Sequence, residues 1–150
     1  MDKISVAARS RNMSRIRGKD TEPEKYLRHL LYHKGLRYRI NYKELKGRPD
    51  IYISRYNTAV FVNGCFWHRH KNCRYSTIPK SNTEFWEAKF SRNTSRDEIT
   101  YETLIKKGLK VIVVWECTIQ KMKKDMEYQS LILEEMLTEI ENGDEGLREF

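Results

Sequence analysis

The chain has no apolar run long enough to cross a bilayer as a helix, and its first fifteen residues, MDKISVAARSRNMSR, are basic without an apolar core. A transmembrane helix and a secretory signal are therefore not expected, and the protein is expected to be cytoplasmic. Cysteine is scarce: there are three. In a reducing compartment three cysteines do not make a disulfide framework and point instead to a metal. With three prolines and seven glycines the chain holds no low-complexity linker. No internal repeat is visible, and 150 residues suit one domain with a real core.

Acidic residues are few except at the end of the chain. The formal net charge is +8, yet residues 121–150 carry four basic and nine acidic side chains, so the first 120 residues hold a net +13. A body this basic suits a polyanion. Nucleic acid is favoured over a membrane, because no basic helix with a wide apolar face stands out. Residues 1–20 read as a basic arm in which Arg9, Arg11 and Arg15 are candidates for phosphate contacts. The arm is expected to order on DNA, with a single domain over residues 21–150.

Thr21 is a candidate helix cap, with Glu24 as its capping-box partner and Pro23 in the first turn. Leu27, Leu30 and Leu31 form the apolar face of a helix ending near Gly35. Residues 36–42, 49–55 and 58–63 read as strands, the last two joined by a tight turn at Tyr56-Asn57. Helical sequence runs from Thr83 to Lys107, with room for a kink, and Gly108 stops it. The continuous apolar run LKVIVVWE (109–116) is expected of a strand buried on both faces. The tail places Leu131, Ile132, Met136, Leu137 and Ile140 on one helical stripe, stopped by Asn142-Gly143. The sum is an α/β domain, a central mixed sheet flanked by helices. The acidic tail helix reads as a solvated face with one buried stripe. His29 and His33 share helical spacing but fall off the leucine face and lack a third ligand.

Chemistry is concentrated in VNGCFWHRHKNC, residues 62–73. Cys65, His70 and Cys73, with Cys117 after the buried strand, make a Cys3His set suited to a closed, structural zinc. On spacing alone His68 could replace His70 as the ligand. The histidine left over, beside a metal cluster on a basic face, is a candidate general base. Upstream, Gly47-Arg48-Pro49-Asp50 delivers an aspartate to the start of a strand, where aspartate is disfavoured. This fits a turn residue or a carboxylate presented to Mg2+.

RSRNM (9–13), GRPD (47–50), GCFWH (64–68), TEFW (83–86), RD (96–97) and VWEC (114–117) occur in that order. Over residues 9–120 the chain resembles the very-short-patch repair (Vsr) DNA mismatch endonucleases. The resemblance implies a restriction-endonuclease-like fold with one structural Zn2+, and Mg2+ as catalytic ion. It implies a nick 5′ to the thymine of a T:G mismatch, the lesion left when 5-methylcytosine deaminates. Asp50 and the backbone carbonyl of Val62 would hold the Mg2+, and Glu24 would reach its waters. His68 would be the base, oriented by Asp97. Phe66 and Trp67, with Trp86 alongside, would enter the DNA stack from the major groove. Met13 would wedge in from the minor groove, although Trp86 also reads as ordinary helix core.

The family often has histidine where this chain has Asn63, which puts a phosphate contact there in question. The chain is expected to act as a monomer on double-stranded DNA, and the resemblance also implies contact with mismatch-repair proteins. Competing readings are a zinc-stapled DNA-binding module without catalysis, and a nuclease of this fold with another target.

Overall fold

The computed structural model describes residues 19–150. Arg9, Arg11, Met13 and Arg15 lie outside the described residues. Helix α1 (Glu22–His33) starts at Thr21, whose Oγ1 accepts from the Glu24 N–H at 3.5 Å. Three strands follow: β1 (Arg39–Ile40), β2 (Ile51–Ile53) and β3 (Thr58–Asn63). The turn between β2 and β3 is a short 3-10 segment, Ser54–Tyr56, closed by Asn57 in the left-handed region at φ 49°. Asparagine tolerates that conformation better than most residues.

Helix α2 (Thr83–Lys106) is unbroken. Strand β4 (Lys110–Trp115) leads into α3 (Glu116–Lys124) and α4 (Met126–Asn142), and β5 (Gly146–Glu149) ends the sheet. The sheet order is β1-β2-β3-β4-β5. The β1/β2 and β2/β3 pairs are antiparallel, and β3/β4 and β4/β5 parallel.

Alternation along the central strands explains their continuous apolar sequence. Val60, Ile112 and Val114 face α1, α3 and α4, where they pack with Leu27, Leu31, Ile119, Met122, Met136 and Ile140. Ala59, Phe61, Val111, Val113 and Trp115 face the other way, toward Leu104 of α2. Both faces of these strands are covered, as is usual where strands pair in parallel.

The sequence expectations need four adjustments. The 36–42 strand shrinks to two exposed residues held by their pairing to β2. The tail is two helices divided at Asp125, whose carboxylate caps α4 by accepting from the Tyr128 N–H at 3.1 Å. On α4 Leu131 is 53% exposed, and Leu133 takes its place in the core. Strand β5 was not expected: three of its four residues are exposed, and it is held by backbone pairing to β4.

Candidate active site and metal centre

The parallel register of β3 and β4 pairs Asn63 with Trp115. Cys65 and Cys117 each lie two residues beyond that pair, so the sheet itself brings them together. The loop after Cys65 returns His70 and Cys73 to the same point. Its shape is held by Arg69, which donates to the carbonyls of Phe66, Ser76 and Thr77, and by Ser76 Oγ, which donates to the Cys65 carbonyl at 2.6 Å. The ligand atoms of Cys65, His70, Cys73 and Cys117 all lie within 4.8 Å of one another.

His70 Nδ1 is 3.6 Å from Cys65 Sγ and 3.4 Å from Cys117 Sγ. Metal–sulfur and metal–nitrogen bonds of about 2.3 and 2.0 Å at a tetrahedral angle place S and N about 3.5 Å apart. The four residues therefore fit a metal ion such as zinc. The His70 ring stacks on Trp115, with centroids 4.2 Å apart, which fixes the plane of the imidazole. Burial pulls the His70 pKa down, favouring the neutral imidazole that a ligand needs, and pushes the Cys65 thiol up to about 12. A cation would offset the cost of the buried thiolate. His70, and not His68, joins the thiols.

The second centre lies across the sheet edge. Gly47 and Arg48 both have positive φ, 79° and 47°, so the chain turns sharply into Pro49 and Asp50. A Cβ at Gly47 would come within 2.4 Å of the Thr100 methyl, so this approach needs glycine. Asp50 stands just before β2, and its Oδ2 accepts from the Val62 N–H at 2.7 Å. Burial, reinforced by the Glu24 carboxylate, raises the Asp50 pKa to about 7.

Glu24 is 3% exposed and accepts from Arg28 Nη2 at 3.1 Å and from the Asp20 N–H at 2.8 Å. Only half of the expected capping box forms: Thr21 receives the Glu24 N–H, while the Glu24 carboxylate turns to Asp20. Arg28, unremarked in the sequence, also donates to Asp20 Oδ1 at 2.8 Å and to the Asp50 carbonyl at 3.4 Å. Its position four residues after Glu24 on α1 was the available signal.

His68 Nδ1 lies 2.6 Å from Asp97 Oδ2. One turn earlier on α2, Asn93 donates to the Trp67 carbonyl at 3.1 Å, so consecutive turns of the helix hold consecutive residues of the loop. Glu24, Asp50, Val62, Asn63, His68 and Asp97 line one open cleft of about 1340 Å³, rimmed by Lys19, Arg48, Lys89 and Arg96. Asn63 is buried, and its amide donates to Tyr101 Oη at 2.8 Å instead of facing solvent.

At one end of the cleft Phe66 and Trp67 meet edge to face, with centroids 5.1 Å apart, and both stay partly exposed. Trp86 and Phe90 lie beneath them, 4% and 7% exposed. Trp86 thus takes the core position that its helix suggested, as a floor for the two exposed rings.

A mixed sheet with helices on both faces, and acidic and histidine side chains gathered beside its central strands, agree with a restriction-endonuclease-like fold. The family model for "DNA mismatch endonuclease Vsr" matches residues 1–74. A type II nicking enzyme of Neisseria meningitidis, V.NmeAIP, is 46% identical over 119 residues, which span 79% of this chain and 84% of the relative. The DNA mismatch endonuclease Vsr of Escherichia coli is 40% identical over 118 residues, 79% and 75% of the two chains. V.HpaIIP, a type II nicking enzyme of Haemophilus parainfluenzae, is 36% identical over 138 residues, 89% and 97%. The chain belongs to the Vsr family of endonucleases, which act on DNA.

Proposed function

We propose that the protein is a Mg2+-dependent, strand-specific endonuclease, monomeric and cytoplasmic, that nicks double-stranded DNA 5′ to the thymine of a T:G mismatch. The reading rests above all on the His68–Asp97 pair at 2.6 Å, which shares a cleft with the raised-pKa carboxylate of Asp50. A binding module has no need of that arrangement.

Asp50 and the Val62 carbonyl would hold the Mg2+, with the Glu24 carboxylate beside them in the same cleft. The ion, when bound, polarises the scissile phosphate and stabilises the leaving oxygen. Asp50 suits the role because its charge is poorly solvated in the folded protein, so a divalent cation relieves a cost that protonation otherwise removes. Asp97 engages His68 Nδ1, leaving Nε2 to take a proton from the attacking water. Cys65, His70, Cys73 and Cys117 hold a structural Zn2+, closed to substrate and stapling β3 to β4.

Phe66 and Trp67 enter the stack at the mismatch, backed by Trp86, with Met13 opposite. Unstacking a base step costs a few kcal/mol, and a mismatch reduces that cost. Arg9, Arg11 and Arg15 supply phosphate contacts.

The decisive variant is Asp50→Asn, which keeps an oxygen to accept the Val62 N–H but removes the ligand charge. It is expected to abolish nicking while zinc content and affinity for T:G duplex stay near wild type. An Asp50→Asn protein that still nicks in Mg2+ would overturn the mechanism. The relatives named as type II nicking enzymes support a second reading, the same chemistry at a different target. It predicts nicking of a duplex other than one carrying T:G.

A further inference from the structure

Asn63 closes β3 beside Val62 with its side chain turned inward. The residue is 4% exposed, and its Nδ2 donates to Tyr101 Oη at 2.8 Å. Tyr101 stands on α2 four residues after Asp97, so one face of the helix carries both the carboxylate that holds His68 and this phenol. Both Asn63 and Tyr101 line the cleft that contains Asp50, Val62 and His68. The Tyr101 ring is fixed against Phe61, with centroids 5.3 Å apart. Burial, with the Asp97 charge adding to it, keeps the phenol protonated far above its usual range. A phenolic oxygen that accepts from an amide keeps its own proton to give. The acidic groups that act on the phenol, Asp97, Glu149 and Asp50, each have another partner: Asp97 Oδ2 has His68, Glu149 Oε1 the Trp115 indole N–H, and Asp50 Oδ2 the Val62 N–H.

We propose that Tyr101 is a catalytic residue whose hydroxyl, oriented by the Asn63 amide, donates to a non-bridging oxygen of the scissile phosphate. This rests on the nuclease reading above. Charge grows on the non-bridging oxygens as the nucleophile arrives, and a preset donor aimed at them lowers the barrier. The neutral phenol has an advantage over a lysine or arginine here, because a cation would pair with Asp50 or Asp97 and compete with the metal. Asn63 then acts through Tyr101 as a positioning residue.

The test is single-turnover nicking of a T:G duplex in Mg2+ by wild type, Tyr101→Phe and Asn63→Ala. Each is assayed on the natural phosphate and on the two stereopure phosphorothioates at the scissile position. Tyr101→Phe keeps the ring packed on Phe61 and is expected to slow cleavage about 10²-fold, in the range of a lost oxyanion donor, with duplex affinity unchanged. In wild type, sulfur at the oxygen that Tyr101 contacts weakens the bond and slows cleavage. That stereoisomer-specific effect should vanish in Tyr101→Phe, whereas a purely structural role would leave it in place. Asn63→Ala retains the phenol and should show a smaller loss with a reduced thio effect, which keeps the proposal testable if Tyr101→Phe folds poorly. Tyr101→Phe at the wild-type rate, or with the wild-type thio effect, would overturn the proposal alone. A wild-type enzyme that nicks neither a T:G nor a matched duplex would instead defeat the nuclease reading and this inference with it.

Discussion

Asp97 and His68 are 29 residues apart in sequence and 2.6 Å apart in space, one on α2 and the other on the loop after β3. A carboxylate at that distance fixes both the rotation of the imidazole and the nitrogen left free for chemistry. His68→Ala should slow nicking by about 10²–10⁴-fold, the usual worth of a positioned base. Asp97→Ala should cost less, and the double variant little more than His68→Ala alone, since residues acting as a unit are non-additive. Additive losses in single-turnover rates would show that the two act independently.

Asp50 gives a pH signature that needs no substrate. Its carboxyl ionises near the ordinary value of 3.8 when unfolded but at about 7 in the fold. Between those values the unfolded chain binds fewer protons than the native one, so Asp50 lowers stability progressively as pH rises and then levels off. Asp50→Asn removes the effect. Without added Mg2+, its stability advantage over wild type should be about 2–3 kcal/mol larger at pH 8 than at pH 5, by denaturant unfolding. A constant difference would mean that Asp50 titrates normally.

The thiol cluster predicts one zinc per chain by elemental analysis. Cys117→Ser should lose it and unfold at lower temperature, because binding energy at a structural site is largely folding energy. Wild-type protein that is metal-free and fully folded would contradict the assignment.

The exposed rings predict a loss of discrimination more than of affinity. Phe66→Ala and Trp67→Ala should lower the ratio of T:G to matched-duplex affinity in competition binding. Deleting residues 1–18 should weaken binding to both duplexes alike and flatten its salt dependence. If both ring variants keep the wild-type ratio, the mismatch is sensed elsewhere.

Much of this was legible in the sequence for physical reasons. Residues 59–62 of β3 and 111–115 of β4 form continuous apolar runs because both faces of these strands are covered, and the metal cluster shows in the Cys65, His70, Cys73 and Cys117 spacing. What was hidden depends on tertiary placement. Strand β5 has no apolar pattern, because most of it is exposed and backbone bonds hold it. The division of labour between His68 and His70 is set by how the loop turns and by Asp97 waiting on α2. Asn63, a candidate phosphate contact in the sequence, is turned inward to Tyr101, which only the packing of α2 on β3 decides, and the Arg28 pairing with Glu24 shows in the sequence only as helical spacing.

The central claim is that this cleft cuts one strand at one kind of mispair. It is tested most directly by incubating the protein with Mg2+ and duplexes labelled on either strand, identical except for T:G or C:G at one position. The account predicts a single nick in the thymine strand, immediately 5′ to the mispaired T, with the C:G duplex and the guanine strand intact. Equal cutting of both duplexes, cutting of both strands, or no cutting of T:G in any flanking sequence would contradict it.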